Sequence, residues 1–201
     1  MSVDWRDKYI SEKGFRFTEL VNDDFFQPFR VLFQAGHYVS SIKLMLIAVD
    51  SIGYIEFGES QRGEDAPFVK WLNKYADLSS VGVTPRELWE HRNSLLHMSN
   101  LDSRQVKKGS IKRLVAYVGE IPPEVKLIED NATYYDFRAL IHEFGQACNS
   151  WIQSYSDDPT KYDQFIKRYD LVVSDSRMLH IPLTSQQGRS SRRINGCHRF
   201  C

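Results

Sequence analysis

Residues 37–58 read HYVSSIKLMLIAVDSIGYIEFG, and the placing of their apolar side chains decides the fold. Val39, Ile42, Leu46, Val49 and Gly53 recur at helical spacing and mark one face. Met45, Ile52 and Ile55 widen that stripe until most of the helix surface is apolar. Such a helix belongs at the centre of a bundle or partly in a subunit interface. Asp50 lies within it, and a carboxylate in apolar surroundings needs a partner. The longest unbroken apolar run, LMLIAV, is far too short to span a bilayer, so no membrane contact is expected.

On the N-terminal side, DDFFQPFRVLFQAG reads as a helix capped by Asp23 or Asp24. Phe25, Phe26, Phe29, Leu32 and Phe33 lie near one face, and Pro28 is tolerable only in the first turn. Gly36 divides this element from the next. Residues 1–22 mix charges and aromatics without a period; Phe15 and Phe17 fit either a short strand or a cover for the core.

On the C-terminal side, GESQRGEDAP is a break and EDAPFVKWLNKYADL a helix carrying Phe68, Trp71, Leu72 and Tyr75 at helical spacing. Thr84 as N-cap, Pro85 in the first turn and Glu87 at the third position form a capping box. That helix runs through TPRELWEHRNSLLHM to near Asn100, and DSRQVKKGSIKR reads as turn or loop. RLVAYV and VKLI flank GEIPPE and suggest a small hairpin, with Pro122 and Pro123 in its connection. Helix resumes near Thr133, where Phe137, Leu140, Ile141, Phe144, Cys148, Trp151 and Ile152 recur at three and four; KYDQFIKRYDLVV is the last helix. The expected fold is mostly α, a bundle of about five or six helices with a small inserted β-hairpin. One domain is expected over residues 1–183, followed by a flexible basic tail, 184–201, with Arg189, Arg192, Arg193 and Arg199.

The 201 residues include 42% hydrophobic side chains with 12 Phe and 10 Tyr, enough for a substantial core and too many for general disorder. Formal net charge is zero, so contact with nucleic acid must come from a local patch. Three cysteines do not suggest a disulfide scaffold, and MSVDWRDKY lacks the apolar run of a signal peptide; a reducing, cytoplasmic setting is expected. Cys197, His198 and Cys201 do not make a recognisable zinc site, and His142-Glu143 lacks a second histidine. GFRF, GESQRG and GRSSRR lack phosphate-loop spacing, so neither metal nor cofactor is expected. Cys148 reads as a small core residue, His37 as a helix-surface residue.

The stretch EHRNSLLHM, 90–98, holds what an ordinary bundle leaves over. At 100° per residue, Leu88, Trp89, Leu95 and Leu96 cluster within about 60° of a common centre, and Arg92 falls on it. Asn93 lies about 100° to one side and His97 about 140°, with Asn93 and His97 one turn apart. An arginine on an apolar line must find a carboxylate, reach a cleft or face a subunit boundary; Asp50 is the candidate carboxylate. A core Arg92–Asp50 salt bridge with Asn93 and His97 on a polar rim is the plainer reading of the same spacing.

Arg92-Asn93, three residues and then His97 resembles the RNxxxH signature of HEPN domains (higher eukaryotes and prokaryotes nucleotide-binding). These are all-helical domains of toxin, phage-defence and RNA-processing proteins. The resemblance covers about residues 35–100, and its context is a helix preceded by an apolar helix carrying an acid. It implies metal-independent endoribonuclease activity at a cleft where two domains pair. Arg92 and His97 would be catalytic, Asn93 would orient His97 or the phosphate, and Asp50 would hold Arg92.

RNA brings its own nucleophile, the 2′-OH. His97 would take that proton while Arg92 gives two charge-assisted hydrogen bonds to the phosphoryl oxygens, leaving a 2′,3′-cyclic phosphate and a 5′-OH. One motif supplies one imidazole, so a homodimer is expected to bring a second His97. Between Arg86 and Arg113 the bases Arg104, Lys107, Lys108 and Lys112 outweigh the acids and form the expected RNA-binding strip, with His91 as a secondary substrate contact. The alternative function is a non-catalytic helical module for protein or nucleotide interaction, such as the partner of an antitoxin or another protein.

Overall fold

The computed structural model describes residues 5–12, 14–98, 103–121 and 132–174. The expected strand at VKLI and the basic tail lie outside the described residues, as does Cys197-His198-Cys201. The chain opens with α1, Trp5–Tyr9, a tight antiparallel pair of β1, Ile10–Ser11, with β2, Gly14–Phe15, and then α2, Phe17–Val21. A π-helical turn, Asn22–Phe26, joins α2 to α3, Gln27–Gln34, and α4 spans Tyr38–Phe57. There follow α5, Pro67–Tyr75, α6, Pro85–Asn93, a second π-helical turn, Ser94–Met98, and α7, Arg104–Lys107. β3, Arg113–Tyr117, pairs with β4, Ala132–Asp136, before the long helices α8, Phe137–Asp157, and α9, Lys161–Ser174. The fold is mostly α-helical, divided into more helical segments than five or six.

The apolar helix is the axis of the fold. Ile42, Met45, Leu46, Ala48, Val49, Ile52 and Ile55 of α4 are all buried, and α3, α5, α6 and α9 pack around it. By length and composition α4 is apolar enough to cross a bilayer, with mean hydropathy 1.4; half of that window is buried inside the fold, as in a core helix. Gly53 is a packing requirement: a Cβ there would lie 2.7 Å from the Pro67 carbonyl carbon, so α5 starts directly against α4. At the C-terminus of α4, Gly58 adopts φ +73°, and Arg168 of α9 donates to the carbonyls of Ile55 at 2.8 Å and Glu56 at 2.7 Å. Those last-turn carbonyls have no partner within the helix, and the guanidinium supplies one.

Aromatic rings fill the space between α2, α5, α8 and α9. Phe17 meets Trp151, Tyr155 and Phe165 at centroid distances of 5.7, 4.9 and 4.8 Å, tilted or edge-on as the ring quadrupoles prefer. Phe17 thus covers the core, while Phe15 forms part of β2. Cys148 is buried at 4% exposure, and burial pushes its thiol pKa up.

Several local expectations are corrected. Asp23 and Asp24 do not cap a helix, because the helix already begins at Phe17. Asp23 accepts from Lys8 Nζ and Tyr9 Oη at 2.9 and 3.0 Å, and Asp24 from Tyr169 Oη. Pro28 does lie in the first turn of α3, as expected, although a π-helical turn precedes it. The π turn before it shifts the hydrogen-bond ladder where the missing proline N–H would break an α-helix. The segment after Met98 is not wholly loop: Ser103 accepts from Val106 N at 3.2 Å and caps one helical turn, α7. The second strand of the expected hairpin lies outside the described residues, and the described partner of RLVAY is a different segment. β3 runs parallel to β4, in register Arg113 to Ala132 through Tyr117 to Asp136, and parallel strands cannot be joined by a tight turn. TYYD is consequently strand instead of first helical turn, and Asp136 accepts from Arg138 N at 2.8 Å to start α8.

Candidate functional site

Thr84 sets the helix that carries the site. Its hydroxyl accepts from Glu87 N at 3.2 Å, while Thr84 N donates to Glu87 Oε2 at 2.8 Å, the expected capping box. From this start Leu88 and Leu95 turn into the core and Arg92 reaches α4 between them. Arg92 Nη2 donates to Asp50 Oδ2 at 2.5 Å, and the two side chains keep 16% and 31% of their exposure. The guanidinium lies 5.0 Å from the Trp89 ring centroid, in cation–π range, and Trp89 in turn packs on Phe68 at 5.4 Å.

The other Arg92 amine, Nη1, donates to Asn93 Oδ1 at 3.1 Å and to His97 Nε2 at 2.9 Å. The structure thus brings Asp50, Arg92, Asn93 and His97 into one cluster. On an ideal α-helix His97 would sit far round from Arg92. The π-helical turn Ser94–Met98 bonds residues five apart instead of four, so a side chain five positions on comes to lie one turn above its partner. Ser94, fully buried, donates its hydroxyl to the Glu90 carbonyl at 2.8 Å, a back-bond that bends helices at such a point.

An arginine only donates, so the bond to His97 uses the lone pair of Nε2 and places that ring's proton on Nδ1. Three guanidinium N–H are engaged and Nε, without a partner among the described residues, is buried from solvent, so one Nη2 N–H is left while all three neighbours are held. Two hydrogen bonds from Arg92 to a phosphate therefore require it to release His97 or Asn93.

His97 is exposed and opens onto a cleft of about 360 Å³, lined by Glu90, Asn93, His97, Ser103, Arg104 and Gln105. A second cleft of about 760 Å³ adjoins it, sharing Glu90 and Gln105 and lined also by Trp89 and Lys112. Of the basic strip, Arg104 lines the smaller cleft; Lys107, the last residue of α7, and Lys108 just after it are exposed and line neither. Glu90 has a sequence signal as well: it precedes Asn93 by three positions, neighbours on one helix face.

His91 is corrected outright. It is 4% exposed, and its Nε2 is 3.2 Å from Tyr135 Oη of β4, so it faces the core and cannot touch substrate. Burial lowers its pKa to about 4 and raises that of Tyr135, so the pair is neutral. His142, by contrast, is an exposed rim residue, with 68% of its side chain accessible.

A polar cluster without sequence signal lies at the end of α4. Glu56, its side chain 4% exposed, accepts from Tyr75 Oη at 2.6 Å, Lys74 Nζ at 2.9 Å, Trp151 Nε1 and Lys161 Nζ at 3.0 Å, and Tyr155 Oη at 3.1 Å. Burial alone would raise its pKa; the donors, led by Tyr75, outweigh burial and hold it at about 2. Neither cleft described above reaches this group, and its geometry is that of a clamp between helices.

No family model, curated protein or solved structure matches this chain.

Proposed function

We propose that the protein is a metal-independent endoribonuclease of HEPN type, acting as a homodimer in a toxin or phage-defence setting. The observation that carries this reading is the Arg92–His97 contact at 2.9 Å, anchored by Asp50 and opening on a cleft. A phosphodiester entering the cleft draws Arg92 onto its non-bridging oxygens, and the lone pair of His97 Nε2 is released at the same moment. His97 then takes the 2′-OH proton, the 2′-oxygen bonds to phosphorus, and the bond to the 5′-oxygen breaks. The leaving oxygen receives a proton from the partner's His97. Asp50 keeps the guanidinium oriented, Asn93 positions it beside the imidazole, and Arg104 meets a flanking phosphate.

The dimer reading is supported by the exposed face of α4. Val39 and Ile47 are 66% and 42% exposed on the face that also carries Lys43, and Ile47 precedes Asp50 by three positions, so this face runs up to the cluster. A second copy covering it brings two clusters towards one another.

The test is incubation of the purified protein with a mixed RNA panel, beside H97A and with EDTA. Expected are 2′,3′-cyclic phosphate ends, cleavage that survives chelation, and a loss of about 100-fold or more in H97A with fold and dimer retained. Intact RNA throughout would leave the non-catalytic module, which should instead lose a protein partner when Val39 and Ile47 are made polar.

A further inference from the structure

Glu90 sits where the two clefts meet, half-buried, and its carboxylate has no hydrogen bond or ion pair among the described residues. The other acids of the larger cleft are already engaged. Glu64 pairs with Lys70, Asp65 with Arg86 at 2.7 Å, and Glu87 is held in the capping box with Thr84. A lone carboxylate beside a phosphate-binding arginine repels phosphate, so the group it can accept is one that presents N–H or O–H donors.

The cation positions frame it. Arg104 lines only the smaller cleft, with His97, and Lys112, exposed and without a partner among the described residues, lines only the larger one. Positive, negative, positive is the pattern of a nucleotide step: phosphate, base edge, phosphate. At about 760 Å³ the larger cleft is within the range of small-molecule sites, about 300–1,000 Å³, and has room for a nucleoside. Single-stranded RNA is read on the exposed edges of its bases. Guanine alone among the four offers two adjacent donors, N1–H and the N2 amino group, that match the two oxygens of one carboxylate.

We infer that the larger cleft is a nucleobase subsite selective for guanine next to the scissile phosphate, with Glu90 accepting both donors of its base-pairing edge. The inference rests on the nuclease reading for the words "next to the scissile phosphate", while binding of the base itself does not.

The experiment titrates 3′-GMP, 3′-AMP, 3′-CMP and 3′-UMP into the full chain by calorimetry, for wild type, E90Q and E90D. The same proteins are then assayed on RNAs with a single guanine in a guanine-free context. Expected is binding of 3′-GMP about tenfold or more tighter than the others, levelled in E90Q and partly kept in E90D; the discrimination is the size a bidentate base contact supplies. Matching melting curves exclude a folding defect. If the four nucleotides bind alike, or if E90Q keeps the wild-type ranking, the subsite is overturned. A guanine preference that E90Q abolishes, in a protein that cuts no RNA, upholds the subsite and overturns the nuclease. Cleavage without regard to guanine does the reverse.

Discussion

At the scale of single residues, neighbouring positions on one helix meet opposite fates. Arg92 lies between Asp50 and the face of Trp89, where the cost of leaving water is shared among partners. His91, one position earlier, is taken into the core and loses its charge, with Nδ1 unpartnered among the described residues. The sign of its effect on stability follows. The unfolded chain binds a proton at this histidine below about pH 6.5, whereas the folded chain resists until about pH 4. Between those values the unfolded state holds more protons, so stability rises with pH across the window and gains nothing from His91 above it. Urea unfolding at pH 7 and pH 4.5 should show a loss on the order of 2–3 kcal/mol, largely removed in H91Q. A pH-independent unfolding free energy in the wild type would contradict the burial.

At the scale of elements, hydrogen-bond ladders and their interruptions position the chemistry. The capping box at Thr84 fixes where α6 begins, and the π turn at its far end fixes where His97 arrives. Replacing Thr84 with alanine should cost about 1 kcal/mol of unfolding free energy, read from denaturant curves, the usual worth of such a cap. If activity falls further than this small destabilisation explains, helix registration is part of the site's geometry. Start signals of this kind are legible in sequence because they are local: Thr84, Pro85 and Glu87 act on one another across a single turn. The π turn was not legible. The 100° wheel assumes one unbroken ladder and puts His97 far from Arg92, and only the structure carries the shift that brings them together. The same limit explains TYYD, which reads as helix from its neighbours and is a strand because β3 lies beside it.

At the scale of the whole molecule, Glu56 ties α4 and α5 to α8 and α9. Its donors come from positions up to 105 residues away, so the knot can form only when the bundle is assembled. Its folded pKa of about 2 lies below the ordinary carboxylate value, so its contribution is complete above about pH 4.5 and is lost as pH falls towards 2. E56A should destabilise the protein by about 2–4 kcal/mol at pH 7, because two lysines and three ring donors lose their acceptor at once. E56Q should recover part of this through its carbonyl oxygen. Thermal melts of the three proteins check the order, and an E56A melt equal to wild type would mean the clamp carries no net stability.

By itself the sequence determined the central apolar helix, the capped helix that follows it, the long C-terminal helices, and the pairing of Arg92 with Asp50 as the candidate for a charge in apolar surroundings. Each is a matter of periodicity along one segment, or of a charge whose isolation would be too costly. Only the tertiary structure decided that His91 is inside and His97 outside, that the strands run parallel, that Glu90 stands unpaired between two clefts, and that one carboxylate gathers five donors. Those outcomes depend on which distant surfaces come together, and burial of that kind is a property of the packed chain that no local pattern encodes.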